Sequence, residues 1–413
     1  MYPHLISEKS KTYIELEEQF GAHNYHPIPV VLEKGEGIYV WDVDGKRYLD
    51  FLSAYSAVNQ GHANPVILEA LQNQARKLSL TSRAFHNDLL GKYEQFMTSL
   101  FGFDRLLPMN TGVEASESAV KLARKWAYEV KGIAEDKARI VFAAGNFWGR
   151  SIAAISSSTD NNSREHFGPF VPGFDIIPFN DIEALELACS NPNTAAFMVE
   201  PVQGEAGVII PEKGYLKKVR EICNKHNVLF IADEVQTGLG RTGKLLCCEH
   251  EDVKPDLLVL GKALGGGVYP VSAVLANNAV MEVLKPGQHG STFGGNPLAC
   301  AVAMASVQVI LDENLSDNAS RMGQLFRDML SAIESPLIKS VRGLGLLNAI
   351  EINPYGKGKK AWDVCLALMN AGLLAKQTHQ NIIRFAPPLV INEDQIVVAC
   401  NIIRDVIIAE EQS

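Results

Sequence analysis

No stretch of this 413-residue chain approaches the roughly 18–20 consecutive apolar residues that a membrane-spanning helix requires. Basic residues are in the minority, 38 Lys and Arg against 47 Asp and Glu, and the net charge of −9 argues against the basic face of a general nucleic-acid binder. Cysteine is scarce: the seven residues are an odd number with no C-x-x-C, as in a reduced protein without a disulfide framework. The cluster "CCEHED" (residues 247–252) contains soft ligands, but no second pair stands at zinc-type spacing, so no metal is expected. The opening "MYPHLISEKSKTYIELEEQF" has neither an apolar core behind a basic start nor an Arg/Ser-rich presequence, and a cytoplasmic location is expected. Internal repeats and low-complexity stretches are missing too. What is there, 47% apolar and 21% charged residues, is the composition of a globular enzyme. The length suffices for two domains, or for one large domain with an appendage.

The middle of the chain alternates strand-like apolar runs with helix-like segments. "RIVFAAG" (139–145), "AAFMVEP" (195–201), "VLFIADE" (228–234) and "DLLVLGK" (256–262) read as strands, whereas residues 211–227 and 296–314 have helical spacing. Near-continuous apolar strands separated by helices predict a parallel sheet buried on both faces. Ligands gather at the carboxyl ends of such strands. There the chain places Glu200, Asp233 with Glu234, Lys262, and the segment "NFWGR" (146–150). "GIYVWDVDGKRYLDF" (37–51) predicts a hairpin around its Asp-Gly turn, and residues 341–353 and 381–392 read as short strands of a smaller C-terminal domain.

Lys262 poses the sharpest question, because an ammonium in apolar company must pair or give up its proton. A desolvated lysine is a nucleophile that forms Schiff bases with carbonyls. The carbonyl can belong to a substrate, as in a class I aldolase, or to pyridoxal 5′-phosphate, which needs a carboxylate to keep its ring nitrogen protonated. A phosphate cradle favours the second, and "NTGVEASESAVKLARKW" (110–126) offers one in a Thr-Gly turn opening a helix. Phe147 and Trp148 offer an aromatic plate.

"FIADEVQTGLGRTGK" followed by "PDLLVLGKALGGG", with Asp233 standing 29 residues before Lys262, resembles the class III (ω-amino-acid) aminotransferases. More narrowly, "GAHNYHPIPV", "FLSAYSAVNQGH", "MNTGVEASE", "GNFWGR", "EPVQGEAGV", "HGSTFGGNPL" and "IIRFAPPLVI" are similar to members of that family that act on ornithine, and the similarity runs from about residue 20 to the C-terminus. It departs at Gly265, where those members usually carry serine, and at Phe385, where leucine is more familiar.

The resemblance implies fold type I (aspartate-aminotransferase-like), an α/β architecture with a large domain on a mostly parallel sheet and a smaller α+β domain. The expected divisions are residues 1–57 (contributing to the small domain), 58–305 (the large, cofactor-binding domain) and 306–413 (the C-terminal small domain). It implies that Lys262 holds pyridoxal phosphate and shuttles the proton, and that Asp233 binds the ring nitrogen. Gln236 would contact the phenolic oxygen and Phe147 would stack on the ring, Trp148 being left as packing. Gly112 and Val113 would give their amides to the phosphate, and Thr292 would reach the phosphate of a neighbouring subunit. Arg150 and Arg384 would take the carboxylates of 2-oxoglutarate, while Glu205 masks Arg384 as L-ornithine binds between Tyr25 and Tyr55. A homodimer or a multiple of one follows, with ping-pong kinetics and no nucleic-acid or membrane partner. The competing readings are a class III enzyme acting on N-acetylornithine or 4-aminobutyrate, a Schiff-base aldolase, and a non-catalytic relative.

Overall fold

The computed structural model describes residues 6–353 and 360–412. An N-terminal helix, Glu8–Phe20, precedes strands β1 (Leu32–Glu36), β2 (Tyr39–Asp42) and β3 (Arg47–Asp50), and β2 and β3 form the hairpin expected around the Asp-Gly turn. Seven strands make the central sheet: β4 (Arg105–Met109), β5 (Arg139–Ala143), β6 (Phe174–Ile177), β7 (Thr194–Val199), β8 (Leu229–Asp233), β9 (Leu257–Leu260) and β10 (Ser272–Ala276). Five more follow: β11 (Ile338–Leu344), β12 (Leu347–Ile352), β13 (Leu373–Leu374), β14 (Lys376–Thr378) and β15 (Ile382–Phe385).

The central order is β4-β10-β9-β8-β7-β5-β6, in which β10 runs antiparallel to both neighbours and the remaining pairs are parallel. Every residue of β7, β8, β9 and β10 is buried, because helices cover both faces of the sheet. On one face the helix Gly112–Trp126 lays Ala115, Ala119, Leu122, Ala123 and Trp126 against β7, β9 and β10. On the other, the helix Tyr215–Lys225 buries Tyr215, Leu216, Val219, Ile222 and Cys223, the i, i+1, i+4, i+7, i+8 stripe of an amphipathic helix.

Sequence reading missed β4, β6 and β10. β4 contains Pro108, β6 is four residues long, and β10 is built largely of small residues, so none shows a long β-branched run. The segment 341–353 is not one short strand: it forms most of the antiparallel β11–β12 hairpin, which turns at Gly345 with φ 56°.

The two chain ends meet. β13 pairs in parallel with β3, and Phe51, Phe326 and Phe385 pack mutually with ring centroids 5.5, 6.2 and 5.6 Å apart. The division expected after residue 305 falls inside the helix Pro297–Asp312, much of which is buried in the same apolar cluster as Ile38 and Ile407. Among the described residues no single helix is long and apolar enough to cross a membrane. The "CCEHED" segment is a short 3-10 turn with Cys247 and Cys248 buried beneath it.

Candidate active site

Side chains that are far apart in sequence converge at the carboxyl ends of β5, β7, β8 and β9. Lys262 is not on β9 itself: it opens a 3-10 turn (Lys262–Gly265) two residues later, and its φ of 44° lies in the left-handed region. For a residue other than glycine that conformation costs roughly 1–2 kcal/mol and persists only where packing imposes it. Burial holds the Lys262 amine below its ordinary value; Arg384 pushes the same way, and the carboxylates of Glu205, Glu200 and Asp233 oppose it.

Asp233 ends β8 fully enclosed and accepts the Val235 N–H at 3.1 Å. Burial raises its carboxyl to about 6. Glu200, immediately after β7, accepts N–H groups from Phe147 at 2.9 Å and Gly204 at 3.4 Å, and burial joined by the field of Asp233 pushes it to about 8. Two crowded acids beside a desolvated amine make a site in which a further cationic group is stabilised.

The helix Gly112–Trp126 starts next to this cluster. Thr111 and Glu114 form a capping box, Glu114 Oε2 accepting the Thr111 N–H at 2.8 Å, while the Gly112 and Val113 amides have no acceptor among the described residues. A Cβ on Gly261 would stand 3.2 Å from Val235 Cγ1 and 3.6 Å from the Gly112 Cα, so the helix start, the end of β8 and the approach to Lys262 touch one another there. The free amides are thereby set beside both Lys262 and Asp233, as an anion site requires.

Above this floor lies a charged rim. Arg384 on β15 is 4% exposed and its Nη1 donates to Glu205 Oε1 at 2.7 Å. Burial alone would raise the Glu205 carboxyl, but Arg384, Lys262 and Arg150 outweigh it and hold it below its ordinary value. The Arg384 guanidinium stands 5.4 Å from the Tyr55 ring centre, and Arg150 stands 5.4 Å from that of Phe147. Gln236 Nε2 donates to the Tyr55 carbonyl at 3.2 Å. A Cβ on Gly204 would lie 1.6 Å from Gln236 Oε1, so glycine is what lets the Glu205 loop pass this close. A cleft of about 580 Å³ opens outward, lined by Phe147, Arg150, Glu205, Thr378 and His379 among others.

Ten of the expected residues, Gly112, Val113, Phe147, Arg150, Glu205, Asp233, Gln236, Lys262, Arg384 and Tyr55, thus fall in one region. Two do not close on it within one chain: Tyr25 is 72% exposed, though its hydroxyl still bears on the Tyr55 phenol, and Thr292 is exposed. Trp148 is buried, stacked on Phe142 at 5.7 Å, with its Nε1 donating to Ser157 Oγ at 2.7 Å. Glu200 was visible in the sequence as a polar strand end but received no role. Asp50, His62 and Arg241 carry no role in the sequence reading; the short strand Arg47–Asp50 that Asp50 closes is half polar and gives no local signal.

The chain belongs to the class III aminotransferases, whose family profile (Aminotransferase class-III) matches residues 20–407. It is 60% identical to the mitochondrial ornithine aminotransferase of Drosophila melanogaster over 401 residues, 97% of this chain and 92% of that protein. The crystal structure of the ornithine aminotransferase from Toxoplasma gondii superposes with a TM-score of 0.96 at 49% identity, covering 99% of this chain and 97% of that one. That of an acetylornithine aminotransferase from Elizabethkingia anophelis gives a TM-score of 0.88 at 60% identity, covering 97% of this chain and 99% of that one. The α/β architecture expected from the sequence is therefore that of the family. Class III aminotransferases use pyridoxal phosphate, which another structure of the Toxoplasma enzyme holds at partial occupancy. The donor set here fits it: unpaired helix amides for a phosphate, an enclosed carboxylate for a ring nitrogen and a desolvated lysine in the field of that carboxylate.

Proposed function

We infer that the chain is an ornithine δ-aminotransferase, moving the δ-amino group of L-ornithine to 2-oxoglutarate to give glutamate 5-semialdehyde, which cyclises to pyrroline-5-carboxylate, and glutamate. Pyridoxal phosphate, when bound, supplies the carbonyl that takes up an amine and the ring that draws electrons from the carbon carrying it. Lys262 would hold it, with Asp233 at the ring nitrogen, Gln236 at the phenolic oxygen and Phe147 on the ring face. Gly112, Val113 and Thr292 of a second copy would hold its phosphate, which makes the active enzyme a homodimer or a multiple of one. The exposure of Thr292 and Tyr25 in the single chain is in keeping with that assembly.

The protein's own chemistry follows from the burial and charge described above. Lys262 Nζ, whose hold on a proton burial weakens, would accept the proton from the δ-carbon of ornithine and pass it on to the cofactor rather than return it to that carbon. Asp233 keeps its negative charge where a cationic ring nitrogen faces it. Tyr25 and Tyr55 hold the amino-acid end of ornithine, leaving the distal amine to approach Lys262.

The observation that carries the substrate assignment is the 2.7 Å pair between Glu205 and the buried Arg384. With Arg384 neutralised, a bound ornithine is not drawn in by its α-carboxylate. Release of Glu205 would free Arg384 to join Arg150 in taking the two carboxylates of 2-oxoglutarate. One pocket can then serve both halves of a ping-pong cycle.

The second reading, N-acetylornithine as donor, is favoured by the name of the Elizabethkingia enzyme. Absorption spectra of the purified holoenzyme decide between them. L-Ornithine should convert the yellow enzyme rapidly to the pyridoxamine form, well ahead of N-acetylornithine and 4-aminobutyrate. Faster conversion by either of the others would overturn the ornithine assignment. We place the enzyme in the cytoplasm and keep the three-part division of the chain as part of this reading; co-fractionation with organelles would overturn the placement.

A further inference from the structure

Tyr55 is carried by backbone that L-residues rarely adopt. Ser53, Ala54, Tyr55 and Ser56 have φ of 47°, 47°, 61° and 72°, four successive left-handed residues without a glycine among them. They form a single left-handed turn, closed by Ala57 N–H donating to the Ser53 carbonyl at 2.9 Å. Each residue is strained there, so the turn exists only because its surroundings specify it.

The entry to the turn is fixed by Asp50, the last residue of β3. Its Oδ1 accepts the N–H groups of Leu52 at 2.9 Å and Ser53 at 2.8 Å, and its Oδ2 meets His62 Nε2 at 2.7 Å. The exit is fixed by buried Asn59, whose Nδ2 donates to the Leu239 carbonyl at 2.9 Å and whose Oδ1 accepts from Arg241 Nη2 at 2.6 Å. Arg241 also donates to the carbonyls of Leu346 and Pro387, so the exit is part of the core that joins three chain segments. The entry is different in kind. Asp50 acts on the two amides that begin the turn, as an N-cap acts on a helix, and its second oxygen is locked by a half-buried histidine. Without that acceptor the turn can relax toward the right-handed region, and the Tyr55 ring leaves its place opposite Arg384.

We propose that Asp50, locked by His62, is a positioning residue for Tyr55: it holds the left-handed turn that sets the tyrosine against the Glu205–Arg384 pair, and so acts on the choice of amine donor without touching it. The proposal rests on the reading of Tyr55 as part of the ornithine site.

Single-turnover rates of the holoenzyme with L-ornithine and, separately, with L-glutamate test it, because a loss of general structure lowers both together. In Asp50→Ala, kcat/KM for ornithine should fall at least about tenfold further than that for glutamate. Asp50→Asn keeps the acceptor and should return the ratio to within about threefold of the unaltered enzyme, as Asn and Asp cap alike. In a Tyr55→Ala background the Asp50→Ala change should alter the ratio by less than about twofold, since both act through one ring. His62→Ala, which leaves the carboxylate in place, should shift the ratio in the same direction and by less. It carries the test if Asp50→Ala does not yield folded enzyme. Equal losses for the two substrates, or full additivity with Tyr55→Ala, would overturn the proposal. Failure of the unaltered enzyme to react with ornithine would instead overturn the functional reading, and this inference with it.

Discussion

The floor of the site and its rim are built on opposite principles. The floor stands on the central sheet: Asp233, Glu200 and Lys262 lie at or just past the ends of the fully buried, ladder-bonded strands β8, β7 and β9, and the helix start at Gly112 follows the edge strand β4. The rim, with Tyr25, Tyr55, Arg150, Glu205 and Arg384, comes from a left-handed turn, loops and an inner strand of a small sheet. Covalent chemistry common to a family needs one unvarying geometry and belongs on rigid strands. Discrimination between an amino acid with a distal amine and a dicarboxylate needs a group that can change partners, and Glu205, which would leave the strand-held Arg384, is set on a loop.

The largest predicted effect breaks the two regions apart. Lys262→Ala should lower the ornithine half-reaction at least about a thousandfold, the range in which a positioned acid–base group acts. Tyr25→Phe, on the exposed rim, should cost less than about tenfold, the worth of one hydrogen bond in partial contact with water. Comparable losses in single-turnover assays would erase the distinction.

A smaller effect sharpens the electrostatics of the floor. Glu200 is raised by burial, and by Asp233, from its ordinary 4.5 to about 8. Between those values the folded chain retains a proton that the unfolded chain has released. The stability this group contributes is therefore complete below about pH 4.5 and is lost as pH rises through about 8. Asp233 has the same sign but its window ends near 6. In the cofactor-free protein, Glu200→Gln should flatten the fall of melting temperature between about pH 6.5 and 8. An unchanged slope would remove Glu200 as its source.

The contrast also explains what the sequence could reveal. β7, β8 and β9 are apolar along their whole length, so the acids that end them, and Lys262 beyond, stand out without any relative to compare. β10 and β6 show no such contrast, being too small in side chain or too short. On the rim, only Arg384, a charge inside an apolar strand, was anomalous by itself; Glu205, Tyr25 and Tyr55 were legible through family resemblance. The turn that carries Tyr55 is bonded to Asp50, which stands 155 positions or more from Glu205, Gln236 and Arg384. Arg241 lies in a glycine-rich loop, and nothing local to that loop announces a guanidinium buried against carbonyls from Leu346 and Pro387.

The central claim is that Glu205 selects the donor by occupying Arg384, and Glu205→Ala tests it most directly. With both half-reactions followed by absorbance in the holoenzyme, the ratio of kcat/KM for ornithine over glutamate should fall at least about tenfold, since a buried arginine left unpaired binds the carboxylate next offered to it. An unchanged ratio, whether both rates hold or both fall together, would contradict the account.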